Sequence, residues 1–342
     1  MSQVRQLHRL CQLRCAIPLV AFAFVSQPLF SQGYDDVFEL KSKLKVELQY
    51  ADYGEYEYPE PIIYQYGISP YQQNQPYIAN FPEQRGLIKY SRLLGRASQL
   101  GVKYQYSAIR QGVTQHLTEL KYTRTMSESV VGILAGQYQY DSRGFSAFQA
   151  GTGALWDISP LTSVQGDIQY YSRGADSGPV GGKMGTINLR LKARQVLTLS
   201  TAVQAEYVYY DAHGDLLTFN SHSVTAWVSQ FLKSQTAIHL SFRYYTNSMG
   251  ISSIAPALEV AQYLNWATVL WVKYRYYQNK SENVSLGEHD VIIPDNLRSR
   301  AFSIQVNREM SVTWMAYAKY RYYASNLGVK MNTYMLGAVY AF

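Results

Sequence analysis

The sequence predicts an all-β chain folded as an antiparallel up-and-down β-barrel of about sixteen strands. Three observations carry that expectation. The last segment, Met331–Phe342, alternates large apolar with small or polar side chains and ends on Phe. A unit of about a dozen alternating residues, closed by tyrosines, recurs along the chain. The connections between units alternate between tight and long. If the last strand meets the first, the sheet closes into a cylinder with no free edge.

Taken in order, the chain opens with Arg5, Arg9 and Arg14, an apolar run from Ala16 to Val25, and small or polar residues around Ser31. That layout is an export signal. Cleavage is expected after Ser31, with Ser26 as the other candidate. Residues 1–31 then form a cleaved signal peptide, exported by the Sec route, and 32–342 a single barrel domain. The apolar run is too short for a spanning helix, and no later segment reaches the roughly 18–20 continuous apolar residues one needs. Cys11 and Cys15 both lie inside the signal, so disulfides and Cys metal sites are excluded from the mature chain. The formal charge is +7, and loss of the three signal arginines leaves about +4, since no acid precedes Asp35. So mild a bias does not point to nucleic acid.

The first strand is expected at 38–50, ending on Tyr50. A long first loop, 51–82, follows and is rich in Tyr, Pro, Gln and Asn. Its tyrosines, among them Tyr53, Tyr56 and Tyr64, are candidates to stack on saccharide rings or fold into the lumen, against a plain exposed loop. Strands are then expected at 84–93, 98–108, 113–124, 129–140 and 146–156, around the clusters Tyr104-Gln105-Tyr106 and Tyr138-Gln139-Tyr140. The next five, at 161–172, 183–193, 197–210, 218–230 and 235–246, carry Tyr170-Tyr171, Tyr209-Tyr210 and Tyr244-Tyr245. The last five are 253–263, 266–278, 298–308, 312–324 and 331–342, with Tyr276-Tyr277 and Tyr322-Tyr323. Such lengths suit tilted strands that cross a bilayer. Tight turns are expected at 94–97, 126–128, 158–160, 193–196, 232–234, 264–265 and 309–311. The longer set is 141–145, 172–182, 211–217, 247–252, 279–296 and 324–330.

The strands alternate in chemistry. Leu270, Val272, Tyr274 and Tyr276 share one face of their strand, while Trp271, Lys273 and Arg275 share the other. Ile238, Leu240, Phe242 and Tyr244 oppose His239, Ser241 and Arg243 in the same way. A soluble sandwich would show the same alternation, but the export signal, the terminal strand and the loop asymmetry favour a barrel in lipid. A Lys or Arg facing hydrocarbon at mid-membrane costs roughly 2–4 kcal/mol, so these charges are expected to face a wet lumen.

The lumen-lining candidates are Lys103, Arg190, Lys192, Glu206, Arg243, Lys273, Arg275, Lys319 and Arg321. The tyrosine clusters all flank the longer connections and are expected to form an outer aromatic girdle, represented by Tyr50, Tyr106, Tyr140, Tyr170, Tyr209, Tyr244, Tyr276 and Tyr322. The strings Lys273–Tyr277 and Lys319–Tyr323 are candidates for an anion or sugar path, although any barrel strand alternates in this way. Arg243, Arg275 and Arg321 attract anions if unpaired, or brace the wall if paired with Glu259 or other acids.

Catalytic chemistry finds no support. His222 is adjacent to Ser221 and Ser223, and neighbours along a strand point to opposite faces, so it cannot easily activate either. The histidines show no metal-ligand spacing, no Gly-rich phosphate loop is present, and Glu288-His289-Asp290 lies in a polar loop. No catalytic residue, metal or cofactor is expected.

On its terminal strand and its Tyr-ended repeat, the whole mature length resembles a Gram-negative outer-membrane β-barrel of porin size. The Tyr-Arg-Tyr-Tyr strings are similar to those of barrels associated with exopolysaccharide export, including the YaiO-type family, and of barrels that sheath cytochromes in electron conduits. The resemblance implies an outer-membrane location, lipid around the barrel, and assembly machinery that reads Phe342. It also implies a periplasmic or cytochrome partner in either sub-family, and a homotrimer as in many porins. Three functions follow as expectations: a channel for small polar solutes or polysaccharide that leans to anions, a structural sheath or anchor for an exported partner, and, without a supporting constellation, a barrel enzyme.

Overall fold

The first strand of this chain hydrogen-bonds to its last. The computed structural model describes residues 42–53, 81–109, 113–142, 144, 146–173, 184–214, 218–281, 296–326 and 328–342. The strands are β1 Lys43–Tyr53, β2 Phe81–Leu93, β3 Ser98–Ile109, β4 Val113–Ser127, β5 Val130–Asp141, β6 Ser146–Ser159, β7 Thr162–Arg173 and β8 Met184–Val196. They continue as β9 Thr201–Gly214, β10 Phe219–Leu232, β11 Thr236–Asn247, β12 Ile251–Asn265, β13 Thr268–Ser281, β14 Arg298–Glu309, β15 Trp314–Ser325 and β16 Lys330–Ala341. Each pairs antiparallel with its sequence neighbours, and β1 closes on β16 from Lys43↔Ala341 to Tyr53↔Met331. The result is a closed sixteen-strand up-and-down barrel.

Closure follows from the sequence pattern. Every strand offers one apolar and one polar face, so every strand needs two neighbours and none tolerates an open edge. The outer face carries Val46, Leu48, Leu134, Ile168, Leu240 and their like, all exposed. The inner face carries the charges. A small apolar patch, Ile133 and Leu155 with Val131, lies on the inner wall of β5 and β6.

The strands run further than the sequence pattern suggests, which shortens several connections. The expected 51–82 loop contracts, because β1 continues to Tyr53 and β2 starts at Phe81, with Pro82 opposite Asp52. The signal 1–31, residues 38–41 and the rest of that loop lie outside the described residues. The expected 247–252 loop is a tight turn over 248–250. There Asn247 Oδ1 accepts the Met249 and Ile251 amides at 3.1 and 2.9 Å, and Gly250 takes φ 77°. The loop asymmetry therefore concentrates in the connections 54–80, 174–183 and 282–297, all at one end.

The tight end needs one correction as well. Residues 193–196 were expected to turn, yet they complete β8, and the chain turns over 197–200 instead. That turn holds no Gly or Pro. Thr198 and Ser200 build it, with the Ser200 amide donating to Thr198 Oγ1 at 3.2 Å and the Leu197 amide to the Thr201 carbonyl at 2.9 Å. Leu197 and Leu199, inside the strand expected at 197–210, thus lie in the turn.

Candidate functional site

The candidate site is the inner wall. Cross-strand register places every expected lumen-lining residue on it: Lys103 on β3, Arg190 and Lys192 on β8, Glu206 on β9, Arg243 on β11, Lys273 and Arg275 on β13, and Lys319 and Arg321 on β15. Register also puts Lys89 and Arg85 of β2 and Arg194 of β8 there, which composition alone did not single out.

Part of this wall is neutralised by ion pairs, some between directly opposite residues and some between residues two apart on one strand. Arg190 meets Asp167 through Nη2 at 2.8 Å and Nε at 2.9 Å, and both side chains are only 8 % exposed. Asp167 lies against Gly153 of β6, where an added Cβ would come within 2.5 Å of its Oδ1. Lys103 meets Glu119 at 3.5 Å, Lys45 meets Glu47 at 3.0 Å and Arg85 meets Glu83 at 2.7 Å. Lys273 meets Glu259 at 2.8 Å, which settles the acid expected to brace one of the three arginines: it serves a lysine. Lys273 stands opposite Glu259, whereas Arg275 stands opposite Ala257 and Arg243 opposite Ala255.

The remaining cations differ. Among the described residues Arg243, Arg275 and Lys319 form no salt bridge. Arg243 and Arg275 are close enough to feel each other's charge, as are Lys319 and Lys273. The wall from β11 to β15 therefore carries an excess of positive charge, with Glu206, Glu259 and Glu47 as the carboxylates within electrostatic reach. The wall from β3 to β8 is packed and largely paired, with Gln105, Gln137, Gln165 and Gln169 buried among its charges.

The tyrosine clusters divide. Tyr50, Tyr106, Tyr140, Tyr170, Tyr209, Tyr244, Tyr276 and Tyr322 take the outer face. Neighbouring strands hold several of the outer tyrosines. The Tyr104 hydroxyl is 2.8 Å from His116 Nδ1 and that of Tyr207 2.7 Å from His222 Nδ1, while the Tyr320 hydroxyl donates to Asn332 at 2.8 Å. His222 thus faces out, away from Ser221 and Ser223. The second tyrosine of each adjacent pair points the other way, which corrects the expectation that whole clusters form an outer girdle. Tyr171, Tyr210, Tyr245, Tyr277 and Tyr323 face the lumen, because adjacent strand residues alternate.

At the tight-turn end, the outer face carries a second aromatic group. Phe342 stacks on Tyr340 at 5.6 Å and on Tyr90 at 6.2 Å, and Trp314 packs on Tyr340 at 4.8 Å. The Phe342 amide donates to the Ser42 carbonyl at 3.0 Å, which ties the last residue to the start of β1. Among the described residues, no three His, Cys, Asp or Glu side chains gather as a metal site.

No family model matches the chain, and no curated protein sequence matches it. Solved structures do. A bacterial polysaccharide outer membrane secretin superposes with a TM-score of 0.57 at 10 % identity, covering 89 % of this chain and 99 % of that one. OprD of Pseudomonas aeruginosa gives 0.51 at 7 % identity, over 92 % of this chain and 99 % of that one. OccK3 of the same organism gives 0.50 at 10 % identity, again over 92 % and 99 %. The chain therefore has the fold of a sixteen-strand antiparallel outer-membrane β-barrel.

Proposed function

We propose that this barrel is an outer-membrane channel that passes small polar solutes or a polysaccharide and favours anions. The observation that carries the reading is the inner wall with Arg243, Arg275 and Lys319, cations that form no salt bridge among the described residues. Charges of one sign along a low-dielectric wall raise the local concentration of the opposite ion. The apolar outer face, with tyrosines toward the long-loop end and Trp314, Tyr340 and Phe342 toward the other, suits a bilayer with aromatic residues at both interfaces. In this reading residues 1–31 are removed on Sec export, assembly machinery reads Phe342, and the barrel works alone or as a homotrimer. The structural neighbour described as a polysaccharide secretin is consistent with a chain-like solute.

Purified protein in planar bilayers tests the reading. Stepwise conductance with a reversal potential on the anion side is the expected result. A silent or cation-selective barrel overturns it. Silence together with co-purification of an exported cytochrome or a polysaccharide synthase component supports the sheath role instead.

A further inference from the structure

The tyrosines of the inner wall share one arrangement. Tyr210 on β9 stands beside Thr186 on β8, close enough for the side chains to interact, as do Tyr245 on β11 beside Ser221 on β10 and Tyr277 on β13 beside Ser253 on β12. Asn247 Nδ2 also donates to the Tyr245 hydroxyl at 3.2 Å. In each case the partner is the residue diagonally ahead on the preceding strand, since Asn188 is directly opposite Tyr210 and Ser223 directly opposite Tyr245. Thr186, Ser221 and Ser253 are 3, 5 and 5 % exposed. Small hydroxyl side chains on the wall of a wide barrel stay that dry only beneath a cover. The tyrosine on the following strand supplies that cover. Three such tyrosines, on alternate strands, stand on the inner face. Arg243 lies beside this surface, within electrostatic reach of Tyr245, Tyr277 and Arg275.

We infer that Tyr210, Tyr245 and Tyr277, with Arg243 and Arg275, form a binding strip for an acidic oligosaccharide. The C–H face of a pyranose ring carries partial positive charge and meets the negative face of a tyrosine ring. A uronate carboxylate matches the two parallel N–H donors of a guanidinium. The Asn247 bond holds the Tyr245 ring before any ligand arrives, which lowers the cost of ordering it on binding. A neutral sugar would use the rings alone, and a small inorganic anion the arginines alone; an acidic sugar uses both. The inference deepens the channel reading, and its site is the same wall.

The test uses the full barrel in detergent and measures binding by calorimetry, so that conduction is not required. The probes are hexagalacturonate and, as the neutral match, maltohexaose. We expect hexagalacturonate to bind at least tenfold more tightly, and Arg243→Gln/Arg275→Gln to remove most of that difference. Tyr245→Leu/Tyr277→Leu should weaken both sugars. The arginine pair forms no salt bridge among the described residues, and heat-modifiable mobility on gels reports whether the variant is still a barrel. If the tyrosine variant fails to assemble, the wild-type comparison and the arginine variant still decide. Equal binding of the two sugars, no binding of hexagalacturonate, or indifference to the arginine substitutions would each overturn the inference. A barrel that conducts but binds neither sugar refutes the strip and leaves the channel standing; a silent barrel that binds hexagalacturonate does the reverse.

Discussion

Tyr317 of β15 donates a hydrogen bond to Glu47 of β1 across the whole width of β16. The residue between them, opposite both, is Gly337. The Tyr317 ring occupies the space where a side chain at 337 would stand, and Lys45 places its Nζ 3.0 Å from Glu47 and 5.3 Å from the ring centroid. Three strands at the seam are thereby joined by side chains as well as by the ladder. β15 and β16 are both held to β1.

Removing the hydroxyl should loosen this seam selectively. Tyr317→Phe keeps the ring over Gly337 and loses a charge-assisted bond, at a cost of about 1–2 kcal/mol. Gly337→Ala forces the ring off the strand and costs at least as much through overpacking. Urea unfolding of the barrel in detergent, read by heat-modifiable gel mobility, should rank wild type above Tyr317→Phe and Tyr317→Phe above Gly337→Ala. Equal midpoints for all three would mean that the seam is held by backbone pairing alone.

Selectivity should depend on the unpaired wall. Arg243→Gln with Arg275→Gln removes two inner cations that have no acidic partner among the described residues. The anion-to-cation permeability ratio in dilute KCl should fall by at least about twofold, and the loss should shrink in 1 M salt, where the screening length is about 3 Å. A ratio unchanged at low salt would place the selecting charges elsewhere.

Much of this wall is legible in the sequence, and the reason is parity. Once Tyr274 and Tyr276 are set outward, Lys273 and Arg275 must face inward. Parity also implied that Tyr277 faces inward, but grouping Tyr276-Tyr277 by composition hid it. Register is less legible. Glu259 could have met several cations, and only the β12–β13 pairing sets Lys273 opposite it. The Tyr317–Glu47 bond joins residues 270 apart and exists only once the barrel has closed. The 197–200 turn went unread because its hydroxyls, rather than Gly or Pro, bend the chain.

The terminal aromatic should matter more for assembly than for stability. Phe342 lies on the outer surface, touching Tyr340 and Tyr90 at the barrel's edge. Phe342→Ala removes half-exposed contacts, so refolded protein should lose less than about 1 kcal/mol, in line with other surface changes. If the residue is the assembly signal, folded barrel in the outer membrane should nevertheless drop severalfold, as read from unboiled gels. A yield equal to wild type would assign Phe342 no more than its contacts.

Two ion pairs of the same chemistry should respond oppositely to the loss of their acid. Asp167 and Arg190 are both 8 % exposed, and Asp167 sits in the hollow above Gly153. Asp167→Asn leaves a guanidinium covered by neighbours and without its directly opposite carboxylate. Breaking such a pair costs about 3–5 kcal/mol, because the stranded charge keeps its desolvation penalty. Lys273 and Glu259 are 50 and 25 % exposed, and water already screens them. Glu259→Gln should therefore change stability by less than about 1 kcal/mol. Its effect should appear in the current instead: Lys273 joins Lys319, Arg275 and Arg243 as an unneutralised cation, and the anion preference rises. Urea midpoints and reversal potentials on the two variants separate the roles. A large loss of stability in Glu259→Gln, or none in Asp167→Asn, would show that the two halves of the wall are not divided into a packed, paired side and an open, charged one.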